Sequence, residues 1–103
     1  MRKVYIAGKI TGNESYKEQF ARVRDKMEAM GNIVLNPAEL PEGMTPRDYM
    51  RICFAMIDCA DLVVLSYGWR NSAGARLEAQ YAEYIKKDIC CEEENGEFTA
   101  HAG

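Results

Sequence analysis

The chain has 103 residues, 13 of them basic and 16 acidic, with a net charge of −3 at neutral pH. One domain covering residues 1–103 is the natural count at this length. Roughly 60–70% of the unfolded chain's surface is available for burial, so the core is small and association with a second copy would help. A slightly negative chain without a long basic stretch argues against nucleic acid as the main partner, and no apolar run approaches the ~20 residues that span a membrane.

The basic start MRKVYIA meets Gly8 and Lys9 too soon for the apolar region of a signal peptide, and Lys3 to Ala7 reads instead as a first strand ended by Gly8. From Ser15 the spacing becomes helical: Tyr16, Phe20, Val23, Met27 and Met30 follow steps of four and three. Gly31 supplies the stop. Asn32 to Leu35 is a second strand, followed by a loop that holds Pro37, Pro41 and Gly43. Thr45 is a suitable N-cap, Pro46 suits the first helical position, and Asp48 stands where a capping-box acid belongs. This second helix turns Tyr49, Ile52, Cys53, Met56 and Ile57 inward and reaches about Cys59.

Leu62 to Leu65 is the most apolar run and the expected central strand. After the loop Ser66–Ala73 a third helix is expected over Gly74–Lys87, and Asp88 to Glu92 offers a last strand. In the tail from about residue 93, Asn95-Gly96 is a hairpin signal, but the acidity of the segment fits a loose end equally well. Strand–helix alternation with short connections predicts a small flavodoxin-like or Rossmann-like three-layer α/β fold. It would have four mostly parallel strands in the order 2-1-3-4, with room for a fifth. The switch point then lies between the first and third strands, where the loops Gly8–Glu14 and Ser66–Ala73 both open helices.

Glu78 stands out. At about 100° per residue, Gly74, Leu77, Tyr81, Ala82 and Ile85 share the inward face of the third helix, and Glu78 falls among them. An ionised carboxylate turned towards a core is costly unless it is paired, neutralised or opens into a cavity. Gly74, one turn earlier, leaves room above it. Glu78 is therefore either a site carboxylate or a residue hydrogen-bonded to a neighbouring loop. Around it, Gly8 and Gly12 permit close backbone approach, with Lys9 and Thr11 between them offering charge and a hydroxyl; a plain turn also explains the two glycines. In the second loop Trp69 can stack on a planar base or anchor an interface. Arg70 can meet an anion, Asn71 and Ser72 bring hydrogen bonds, and Ser72 is also a plausible N-cap. Asp58 and Asp61 lie at the opposite edge of the sheet and read as structural.

The four cysteines, Cys53, Cys59, Cys90 and Cys91, show no CxxC spacing, and His101 is the sole histidine. No metal site is expected from them, and reduced thiols in a cytoplasmic protein are the simpler account.

Four segments, YIAGKITGN, NPAELPEG, ICFAMIDCADLVVL and GWRNSAGARLEAQYA, together resemble the nucleoside 2-deoxyribosyltransferase-like superfamily, nearest to its short members of unassigned function common in phages and prophages. The likeness runs from about Arg2 to Ile89. Its most specific part is G-x-x-x-S-x-G-A-x-x-E, which ends at Glu78. The resemblance implies that Glu78 is a nucleophile towards the anomeric carbon of a nucleoside or nucleoside 5′-monophosphate. Gly8, Lys9, Thr11 and Gly12 would meet sugar or 5′-phosphate. The resemblance also implies a homo-oligomer in which a neighbour helps close each site. Lys9 and two helix N-termini favour an anion, so stronger binding of 5′-phosphorylated ligands is expected, and no cofactor is expected. Two positions depart from the superfamily's pattern. Relatives usually carry an aspartate eight residues before the Asp that opens the third strand, where this chain has Cys53, and Lys9 replaces a Pro or Ser. A catalyst of N-glycosidic cleavage or deoxyribosyl transfer is one expectation; a binding module that keeps the pocket without turnover is the other.

Overall fold

In the computed structural model, which describes residues 1–101, five strands form one sheet: β1 (Lys3–Ala7), β2 (Ile33–Leu35), β3 (Leu62–Leu65), β4 (Asp88–Glu92) and β5 (Phe98–Ala100). Their order is β2-β1-β3-β4-β5. The first four run parallel, and β5 returns antiparallel to β4. The tail signal at Asn95-Gly96 thus resolves as a hairpin: Gly96 takes a φ of 86°, and Glu93 N–H donates to the Glu97 carbonyl.

Alternation along the strands sorts the core into two layers. Val4, Ile6 and Val64 face α1 (Tyr16–Ala29), where Phe20, Val23 and Met27 cover them. Tyr5, Ala7, Val63 and Leu65 face α2 (Pro46–Cys59) and α3 (Ala73–Tyr84), packing on Cys53, Ile57, Ala79 and Ala82. Helix α2 begins as its sequence announces. Thr45 Oγ1 accepts the Asp48 N–H while Asp48 Oδ2 accepts the Thr45 N–H, and Pro46 sits in the first turn. Met30, expected inward, is instead exposed as the residue capping α1.

The third helix differs from expectation in length and in face. It stops at Tyr84 because Lys86 takes a φ of 66°, and the Lys87 N–H closes the end on the Ala82 carbonyl. Its buried stripe is Ala75, Glu78, Ala79 and Ala82, while Leu77 is 52% exposed. Against a sheet and a neighbouring helix at close range, alanines fit where a leucine would not. The apolar face is therefore set by small residues rather than by the largest one.

Candidate functional site

The carboxyl ends of β1 and β3 lie side by side, with Ala7 opposite Leu65 and the Ser66 N–H donating to the Ala7 carbonyl at 2.7 Å. The two loops expected at the switch point are therefore neighbours. A polar network holds them. Asn13 Nδ2 donates to the Lys9 carbonyl and to Gln19 Oε1, and Gln19 Nε2 donates to Ser66 Oγ at 2.7 Å and to the Tyr67 carbonyl at 2.8 Å. Glu92, at the end of β4 and only 3% exposed, accepts from Ser66 Oγ at 3.2 Å, from the Tyr67 N–H at 3.0 Å and from Arg22 at 3.2 Å. A buried carboxylate satisfied by three donors fixes the exit of β3 against α1 and the first loop.

Beside these loops opens a cavity of about 690 Å³. One wall comes from the first loop and α1 (Gly8, Ile10, Thr11, Tyr16, Phe20). A second comes from the start of α3 (Asn71 to Ala75), and a third from the Pro37–Leu40 turn, Met44 and the start of α2 (Tyr49, Met50). Gly8 is required by close approach, since a Cβ there would stand 2.9 Å from Phe20 Cζ and 3.0 Å from Ser66 Cβ. Ser72 caps α3 through the Ala75 N–H at 3.1 Å. A Cβ at Gly74 would meet Met50 Cε at 3.1 Å, so the glycine keeps the cavity clear above Glu78.

Glu78 lines the cavity while remaining 5% exposed, with Tyr5 and Cys53 beside it on the same wall. Burial raises its pKa from 4.5 to about 7, against a smaller opposing pull from the Tyr5 hydroxyl and the Cys53 thiol. Both neighbours are held protonated at neutral pH. Burial pushes the Cys53 thiol up to about 11, and burial followed by the Glu78 charge holds Tyr5 well above its ordinary value. The Tyr5 hydroxyl is near enough to be perturbed by both groups, yet it makes no well-formed hydrogen bond and is the one buried side-chain N or O atom without a partner among the described residues. A spare donor beside a half-ionised carboxylate is unusual in a core and suits a site whose charge changes during use.

Of the residues singled out in the sequence, Gly8, Thr11, Asn71, Ser72, Gly74 and Glu78 line this cavity. Lys9, Gly12 and Trp69 are not among its lining residues. Gly12 serves the turn with a φ of 77° and lies over the Lys9 side chain. Trp69 faces away, edge-on to the His101 ring at 5.8 Å, with Arg70 stacked over it at 4.6 Å. Two features lie beyond the sequence pattern: Tyr5, signalled only by a hydroxyl within the apolar run Val4–Ala7, and Glu92, which local pattern does not distinguish from any strand-end acid.

A family model described as Domain of unknown function (DUF4406) matches residues 2–91. The chain belongs to that family. A search of curated proteins finds no match to this DUF4406 chain. Among solved structures it is similar to a 2-desoxiribosyltransferase from Leishmania mexicana, with a TM-score of 0.71 and 19% identity over 88% of this chain and 63% of that one. It is also similar to the CMP N-glycosidase BcmB of Clostridium botulinum, with a TM-score of 0.62 and 21% identity over 86% of this chain and 69% of that one. The DUF4406 chain thus spans less than two thirds of the length of the first of these structures. It has the fold expected of the nucleoside 2-deoxyribosyltransferase-like superfamily. Among the described residues, no helix is long and apolar enough to cross a membrane.

Proposed function

We propose that this chain cleaves or transfers at the N-glycosidic bond of a nucleoside, with Glu78 as the nucleophile. The observation that carries the reading is a cavity-lining, nearly buried carboxylate whose pKa is raised to about 7. Glycosyl chemistry needs a carboxylate beneath the anomeric carbon, where oxocarbenium-like charge develops. A Glu78 oxygen forms the bond to C1′ as the C1′–N bond breaks, and the departing base takes that electron pair and a proton from solvent. Water or a second base then attacks C1′, the ester bond to Glu78 breaks, and the carboxylate is restored. Partial desolvation keeps the carboxylate reactive, and the protonated Tyr5 and Cys53 offer hydrogen bonds without adding charge.

The character of the walls supports a substrate with an uncharged 5′ end. Among the described residues the charged side chains lining the cavity are Glu42 and Glu78, both acidic, and the remainder are largely apolar or aromatic. This runs against the phosphate preference expected from Lys9 and the helix N-termini. Lys9 does not line the cavity, Glu42 is already paired with Lys17 at 3.2 Å, and an ionised Glu78 repels a phosphate dianion. The test is a panel of nucleosides and their 5′-monophosphates assayed for free base. Base release from nucleosides, lost by at least ~10³-fold in Glu78→Gln, is the expected result, and unchanged turnover in that variant rules out the nucleophile. A second reading rests on Cys53, which puts a neutral thiol beside Glu78 at the position where relatives usually carry an aspartate. Under that reading calorimetry finds nucleoside binding while no base is released.

A further inference from the structure

Independent of the cavity, a second set of reactive side chains gathers on the outer end of α3. Strand β4 turns Cys90 towards α1 and Cys91 towards the opposite layer. The antiparallel return of β5 then brings His101 back to β4, where its N–H donates to the Ile89 carbonyl. There His101 Nδ1 lies 3.5 Å from Cys91 Sγ, and its Nε2 lies 2.9 Å from Glu83 Oε1 on α3. Trp69 meets the imidazole edge-on at 5.8 Å, with Arg70 over the indole. Two residues of the second loop that do not line the cavity are thus placed against this group.

The proton positions follow from chemistry. An ionised Glu83 can only accept, so Nε2 carries the imidazole proton and Nδ1 presents a lone pair to the thiol. Sulfur, imidazole and carboxylate are strung through opposite sides of one ring, which orders a proton relay. The described residues include no cluster of three or more His, Cys, Asp or Glu suited to a metal ion. None of the other three thiols has an imidazole beside it, since His101 is the sole histidine. Cys53 and Cys90 are further held protonated, each with a pKa pushed by burial to about 11, and Cys59 is exposed. Burial also raises the Cys91 thiol, opposed by the nearby Arg70 charge. Activation is therefore by proton removal during attack rather than by a standing thiolate.

We propose that Cys91 is a nucleophile and covalent attachment site for small carbon electrophiles, with His101 as its general base and Glu83 orienting the imidazole. Sulfur forms a bond to the electrophilic carbon as the leaving group departs with its electron pair. The thiol proton passes to Nδ1, and the resulting imidazolium is held by Glu83. With iodoacetamide the products are the S-carbamidomethyl thioether and iodide.

The test is native labelling of the full chain with limiting iodoacetamide near neutral pH. Digestion and fragment-ion mass spectrometry then separate Cys90 from Cys91. Cys91 is expected to react faster than the more exposed Cys59, and His101→Gln is expected to slow Cys91 by at least about tenfold while leaving Cys59 unchanged. Glu83→Gln is expected to give a smaller loss in the same direction. A merely structural role for His101 predicts the opposite sign, since loosening the end of β5 would uncover Cys91 and speed its labelling. Faster or unchanged labelling of Cys91 in His101→Gln overturns the proposal. So does slower reaction of Cys91 than Cys59 in the unaltered chain.

Discussion

Replacing Glu78 by glutamine should change how stability depends on pH. In the unfolded chain the Glu78 carboxyl titrates near 4.5, and in the folded chain near 7 because burial disfavours its charge. Below pH 4.5 both states hold the proton and burial of the side chain is cheap. As pH rises from there to about 7, only the folded state still holds it, so stability falls steadily; above that, both states are ionised and the full cost persists. At about 1.4 kcal/mol for each tenfold change in proton affinity, the displacement corresponds to about 3 kcal/mol. Roughly 2–3 kcal/mol of it falls between about pH 5 and about pH 8.5. Glutamine keeps the shape, has no charge to desolvate, and can donate from its amide to the unpartnered Tyr5 hydroxyl. Urea unfolding of both proteins at the two pH values, with thiols kept reduced, isolates this contribution from all other titrations. The variant should gain about 2–3 kcal/mol relative to the parent on going to the higher pH. Equal pH dependence in the two proteins would refute the claim that Glu78 is buried with a raised pKa.

Three further outcomes are expected. Gly8→Ala places a methyl 2.9 Å from Phe20 Cζ and 3.0 Å from Ser66 Cβ; it should cost about 1–3 kcal/mol in denaturant unfolding and weaken ligand binding, because the first loop must shift. Lys86→Gly relieves a left-handed residue at the end of α3; it should raise stability by about 0.5 kcal/mol after the entropy of the unfolded glycine is counted, and a loss of stability would contradict the cap. We also propose a homodimer or larger assembly: Tyr49 is tied into the chain through the Pro41 carbonyl and Trp69 through His101, but Tyr67 is 51% and Tyr84 85% exposed. Light scattering at micromolar concentration should report at least twice the chain mass, and a monomer would overturn the assembly.

What the amino-acid sequence determined by itself is local or nearly so. The Thr45–Asp48 capping box, the helix carrying Phe20, Val23 and Met27, the Leu62–Leu65 strand and the parallel order of the first four strands depend on spacings of two to four residues and on short crossovers. These are properties a chain carries before it folds. The same logic carried Glu78 to the cavity, because both the helix period and the switch point are geometric regularities. Only the tertiary structure decided which side of a loop faces the cavity. Lys9 and Trp69 sit in the right loops but outside its lining, since a side chain's direction there follows from what packs beneath it. It also decided that α3 buries alanines and exposes Leu77, a matter of the distance to the sheet rather than of hydrophobicity. Ser66 with Glu92, Tyr5 with Glu78 and Cys53, and Cys91 with His101 and Glu83 meet across strand registers and layer contacts. No sequence periodicity encodes these meetings, because each depends on how separate elements dock, and docking is set by the whole core at once.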